Sequence, residues 1–211
     1  TRIFLISFGC SMVINTMDFY NDQRYQLSKG FIKDVEYDLT QISWTTSVLN
    51  LALKNQEITQ DKIGEKVISL YRPFFKQIGY YSRFWNERVY QLPKLFPTSK
   101  YKNLVICVKG IGDKDFSCLI ADCIPDLQVI FNGQCFPLYW YEENKNKQQT
   151  LSLFDTESSD DYIRRDGITD WILKEVRTRF GNARKITKET IFYYVYGLLH
   201  SPKYREAFAA D

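Results

Sequence analysis

The chain contains a single histidine, His200. A metal centre built on imidazoles needs several, so a histidine-ligated cluster is excluded, and His200, between an apolar run and Ser201-Pro202, reads as a helix-corner residue. The five cysteines (10, 107, 118, 123 and 135) are odd in number and form no CxxC. That pattern fits a reduced, cytoplasmic chain better than a disulfide framework. The longest apolar stretch, Ile191 to Leu199, falls far short of the roughly 20 residues a membrane helix needs. No basic, apolar and small-residue series at the start suggests a secretory signal. Nucleotide machinery is missing too. The segment KGIGDKD (109–115) has two glycines but no GK[ST] and no following amphipathic helix, so it is not a phosphate loop. There is no S-adenosylmethionine glycine motif, no Pro-Pro-Tyr-type adenine motif and no helicase acidic box.

What is abundant is aromatic and basic. Phe, Trp and Tyr make up 16% of the 211 residues, and tyrosine, with its apolar body and polar tip, suits half-buried surfaces and interfaces. The net charge of +3 hides strong patterning: residues 1–70 carry −1, 71–118 carry +6, 119–163 carry −6 and 164–211 carry +4. The +6 block is also rich in aromatics, Asn and Gln, the composition of a nucleic-acid surface.

The periodicities predict an α+β fold: N-terminal helices, a central mixed β region with hairpins, and a C-terminal helical segment. Ser11–Lys29 reads as an amphipathic helix on Val13, Ile14, Met17, Tyr20 and Leu27, and Ser43–Leu53 as a second, capped by Ser43. From Val67, VISLYRPFFKQIGYY predicts two strands around a bend at Pro73. NLVICVKG (103–110) predicts a buried strand, and DLQVIFNGQCFPLYWYEE a hairpin turning at Asn132-Gly133. Residues 142–161 read as a polar, mobile loop. Helices are then expected over Gly167–Phe180, over Thr187–Leu199 behind a Thr cap, and from Ser201 with Pro202 at its first position. The division expected is a helical part, 1–66, and a β-rich core with C-terminal helices, 67–211.

Candidate chemistry is sparse. Pro125-Asp126 followed by Glu143 and Lys145 spells PD…ExK, the order of metal-dependent nucleases, whose carboxylates hold Mg²⁺ near an attacking water. The pattern is permissive, and Pro-Asp is also a common turn start. Cys118 and Cys123 read as buried structural thiols. The basic block offers more: Arg72, Lys76, Arg83, Arg88, Lys94, Lys100 and Lys102 for phosphates, joined by Lys109 and Lys114. Arg83, Asn86, Arg88 and Gln91 could also read base edges, Arg on guanine and Asn or Gln on adenine.

Three segments, ISLYRPFFKQIGYYSRFWNERVYQLPKLFP, GQCFPLYWYEE and ITKETIFYYVYGLLHSPKYREAFAAD, resemble the C-terminal specificity domain of type ISP restriction-modification enzymes. MDFYND and QISWT extend the resemblance over most of residues 11–211. Such enzymes are single-chain bacterial phage-defence proteins that combine nuclease, helicase-like translocase, adenine methyltransferase and target-recognition domains. The resemblance implies a non-catalytic module that recognises double-stranded DNA for the other domains of its polypeptide. S-adenosylmethionine, ATP and Mg²⁺ would then serve those domains. It also implies contact with the methyltransferase and helicase domains, and a docking role without base contacts is the alternative beside the nuclease. Two departures stand out: TRIFLISFGCS lacks the aspartate and tryptophan expected after its Thr-Arg, and the chain stops at Asp211, before a proline-rich end. An excised domain or truncated reading frame is the expectation.

Overall fold

The computed structural model describes residues 10–38, 41–42, 44–60, 64–81, 86, 89–110, 116–126, 129–130, 133–144, 161–180 and 185–208. The chain forms two compact units, Thr1–Tyr90 and Gln91–Asp211.

The first unit opens with α1 (Cys10–Ser28) and α2 (Thr46–Leu53). Met17 and Tyr20 of α1 meet Ile42, Val48, Ala52 and Ile58 in one core. The buried seam of α1 also includes Thr16 and Gln23, polar groups that would be costly there without partners. Both bond to backbone: Thr16 Oγ1 donates to Gln41 O at 2.9 Å, and Gln23 Oε1 accepts from Glu36 N at 2.8 Å. Asn21 pairs twice with the backbone of Ile58, donating to its carbonyl and accepting from its N–H. The cap of α2 is Thr45, which accepts from Val48 N at 3.3 Å; Ser43, the expected cap, lies outside the described residues.

Tyr20 is fully buried, and its hydroxyl donates to Gln56 O at 2.8 Å. Burial pushes its pKa up to about 12, against a smaller lowering by Arg24. In the unfolded chain the phenol titrates near 10. Between those values the folded state holds a proton the unfolded state has lost, so stability falls as pH rises through that window. Thermal melts of Tyr20→Phe should therefore show a flatter decline above pH 10, together with a loss of about 1 kcal/mol at neutral pH from the missing hydrogen bond.

After these helices in the chain, β1 (Glu65–Arg72) and β2 (Phe75–Tyr81) pair antiparallel from Glu65↔Tyr81 to Arg72↔Phe75, with a bulge between Leu70 and Arg72. Only Pro73 and Phe74 connect them, where the sequence predicts the bend.

The second unit begins with the short α3 (Leu92–Leu95). Three antiparallel strands follow in the order β4-β3-β6, namely β4 (Cys118–Ala121), β3 (Val105–Val108) and β6 (Gln134–Pro137). Between β4 and β6 lies the two-residue β5 (Ile124–Pro125), and β7 (Tyr139–Glu143) pairs antiparallel with β8 (Tyr162–Asp166). The hairpin expected around Asn132-Gly133 is therefore not formed. Val129 and Ile130 are a buried turn whose Val129 N–H bonds Asp126 O, while β6 pairs with β3 instead; Asn132 lies outside the described residues. The polar segment 142–161 is bounded by β7 and β8, with Asn144 N donating to Asp161 O at 2.9 Å.

Three helices complete the unit: α4 (Asp170–Phe180), α5 (Lys188–His200) and α6 (Pro202–Ala207). A capping box of Thr187 and Thr190 starts α5, satisfying two orphan donors of its first turn. Phe192 of α5 joins Ile106 and Leu138 in the core, with Tyr196 and Leu199 packed against it. No residue of α4 is buried. Lys188 Nζ reaches both Asp166 at 2.7 Å and Asp170 at 2.6 Å, tying the end of β8 to the starts of α4 and α5.

Candidate nucleic-acid interface

In the second unit the basic residues stand on a frame built around Asn103. Its side chain is buried and fully bonded: Nδ2 donates to Leu95 O and Tyr139 O, and Oδ1 accepts from Leu104 N and Tyr139 N. With Leu138 N donating to Leu104 O, this carries a ladder-like pairing from residues 103–104 onto the start of β7. The Tyr141 hydroxyl donates to Lys102 O at 2.7 Å, and the Tyr101 ring sits edge-on to Tyr141 and Tyr162, both at 5.2 Å. Tyr101 is thus held inward while Lys100 and Lys102 are exposed. Lys94, on α3, is exposed as well, and Lys109 is partly buried beyond β3. Among the described residues neither Lys94, Lys100 nor Lys102 is in an ion pair.

In the first unit Arg72 and Lys76 are exposed at the tip of the β1–β2 hairpin. The Arg72 guanidinium lies 4.2 Å from the Tyr71 ring centre and donates to the Tyr71 carbonyl at 3.2 Å and to its hydroxyl at 3.3 Å, contacts that hold the charge beside the hairpin tip. Gln91 is exposed ahead of α3. Asn86, considered from sequence as a base reader, is only 3% exposed, so its amide faces the interior of this fold. Arg83, Arg88 and Lys114 lie outside the described residues.

Sequence reasoning passed over β8. Its YIRRD has no alternating apolar face to betray a strand, yet it places Arg164 over the Tyr139 ring at 4.4 Å and Arg165 on Glu142 at 3.0 Å. Arg164 is an exposed cation adjoining the Tyr101–Tyr141–Tyr162 cluster. Its signal in the sequence was only the +4 charge of the last quarter.

No observation favours the nuclease pattern. Asp126 is buried behind β5, Glu143 is exposed at the end of β7 opposite Tyr162, and Lys145 lies outside the described residues. Among the described residues no group of three or more His, Cys, Asp or Glu is placed to hold a metal ion. No described helix is long and apolar enough to cross a membrane.

Residues 11–211 match the family described as the type ISP C-terminal specificity domain. The chain belongs to that family. Three solved structures resemble this specificity domain: the ATP-dependent type ISP restriction-modification enzyme LlaBIII bound to DNA (28% identity, TM-score 0.70), a DrdV–DNA complex (30%, 0.72), and a nuclease-deletion mutant of the type ISP enzyme LlaGI with a DNA substrate mimic (29%, 0.65). Each likeness covers 93–94% of this chain but only 12–17% of the other protein. No curated protein matches the chain.

The terminal motif HSPKYRE of this specificity domain forms the corner between α5 and α6. His200 Nε2 lies 3.4 Å from Cys118 Sγ, its ring is edge-on to Tyr196, and Arg205 donates to Leu199 O at the end of α5. Arg205 also comes within 3.5 Å of His200 Nδ1. The Cys118–His200 contact was not legible in sequence, because 82 residues separate the partners. A thiol beside an imidazole invites a nucleophilic reading, but burial pushes the Cys118 thiol up and outweighs the lowering by Arg205. The protonated thiol is the poorer nucleophile.

Proposed function

We propose that this chain is the double-stranded-DNA recognition module of a type ISP restriction-modification enzyme, non-catalytic in itself and cytoplasmic. The observation that carries the reading is the Lys100–Lys102 segment, whose backbone is anchored by the Asn103 and Tyr141 hydrogen bonds while both lysine side chains are exposed. Membership of a specificity-domain family supports it. Cations held on a rigid frame bind phosphates with less ordering cost and set the register in which neighbouring side chains meet the base edges. Lys94, Lys100, Lys102 and Arg164 would take phosphates in one unit, and Arg72 and Lys76 in the other. Lys109 and Lys114 would add to the field. Arg83, Arg88 and Gln91 would be the base readers, on the chemistry of their side chains. Methyltransferase, translocase and nuclease steps would fall to other domains of the parent polypeptide, which would use S-adenosylmethionine, ATP and Mg²⁺. The exposed Tyr193, Tyr194 and Trp171 would suit docking against such domains.

Gel-shift titrations across a salt series test the reading. Binding should weaken steeply with salt, with log K falling by about 0.9 per decade for each phosphate neutralised. Lys100→Gln with Lys102→Gln should lower that slope by about 2 and weaken all duplexes evenly. Absence of duplex binding at about 50 mM salt would overturn the proposal.

A further inference from the structure

The tip of the β1–β2 hairpin combines three features that the fold itself does not require. First, Phe74 has a φ of +66°, a left-handed conformation that glycine or asparagine adopts readily and a bulky side chain resists. Second, its ring is 97% exposed, so no packing in this chain compensates for that strain. Third, the ring is flanked by charge of one sign. Arg72, stacked on Tyr71, precedes it by two residues and Lys76 follows by two, both exposed. Over the two strands Lys66, Arg72 and Lys76 face a single acidic residue, Glu65. Strained, exposed residues of this kind persist where the side chain has a use outside the fold.

Resting on the DNA reading above, we infer that Phe74 is an apolar wedge that enters a base step of duplex DNA while Arg72 and Lys76 hold the flanking phosphates. The tip of a β-hairpin is narrow enough to enter a groove. Apolar side chains presented this way, between cations, partly unstack a step and kink the duplex. The flanking cations favour a polyanion over an apolar protein surface as the occupant. The wedge reads deformability rather than a base edge, so it would favour flexible pyrimidine–purine steps such as TA.

The test uses the 211-residue chain with duplexes selected by it from a random pool. Affinity is read by gel shift and unstacking by permanganate reactivity of thymines. The wild-type chain should make thymines at one step reactive. Phe74→Asn, which suits the left-handed turn, should melt at the same temperature or higher, bind about tenfold more weakly and abolish the reactivity. Phe74→Leu, still apolar, should retain part of both signals. If the wild-type chain binds but no thymine becomes reactive, or if Phe74→Asn binds and reacts as wild type does, the wedge is wrong and the DNA reading stands. If the wild-type chain selects no duplex, the DNA reading falls and takes the wedge with it.

Discussion

Asn103→Ala is expected to destabilise this specificity domain by about 4 kcal/mol, read by urea unfolding. The side chain is 4% exposed and makes four hydrogen bonds, all to backbone. Truncation leaves Leu95 O, Tyr139 O, Leu104 N and Tyr139 N without those partners in the interior. An unsatisfied buried group costs about 1–3 kcal/mol, less than additively when neighbours relax together or a water enters. A loss of about 4 kcal/mol is a large share of the 5–15 kcal/mol typical of a domain. Asn103→Asp should be no better, because a carboxylate would face Leu95 O and Tyr139 O with no proton to donate. An Asn103→Ala variant that unfolds within about 1 kcal/mol of wild type would show that the network is replaceable.

Gly167→Ala is expected to cost about 3 kcal/mol or to prevent folding. A Cβ at this position would lie 2.1 Å from Pro137 O and 3.1 Å from Leu138 O. Both are backbone atoms and cannot swing aside as a side-chain tip would. Gly167 N also donates to Leu138 O at 2.7 Å, so moving away from the clash breaks that bond. Overpacking usually costs about 1–3 kcal/mol, and backbone-on-backbone contact belongs at the upper end. Gly197, inside α5, is the control: a Cβ there meets nothing within 4 Å, so Gly197→Ala should stabilise by up to about 1 kcal/mol. Denaturant melts of the two variants should thus move in opposite directions.

Elements stabilised by local signals were legible in the sequence, and those defined by distant partners were not. The Thr187 cap, Pro202 at the start of α6 and the bend at Pro73 act within a few residues of themselves, and each is found where the sequence predicts it. The Asn132-Gly133 hairpin failed because β6 finds its partner in β3, and nothing local to Gln134–Pro137 encodes Val105–Val108. β8 was missed because four of its five residues are exposed and two are arginines, leaving no apolar face to produce alternation. Among the candidate site residues, charge identified the exposed lysines, Lys94, Lys100 and Lys102. Residue type alone could not separate exposed Gln91 from buried Asn86. That difference is a tertiary fact.

The ion pairs of Lys188 have an evolutionary consequence. Residue 167 is pinned to Leu138, and Lys188 returns the chain to Asp166, so the excursion between them leaves and re-enters the fold at nearly one place. Its helix, α4, contributes nothing to the core. Lengthening a loop whose ends are already clamped costs little, about 0.6 kcal/mol per doubling. Homologous domains can therefore vary the length and sequence of this cassette while β8 and α5 keep their places.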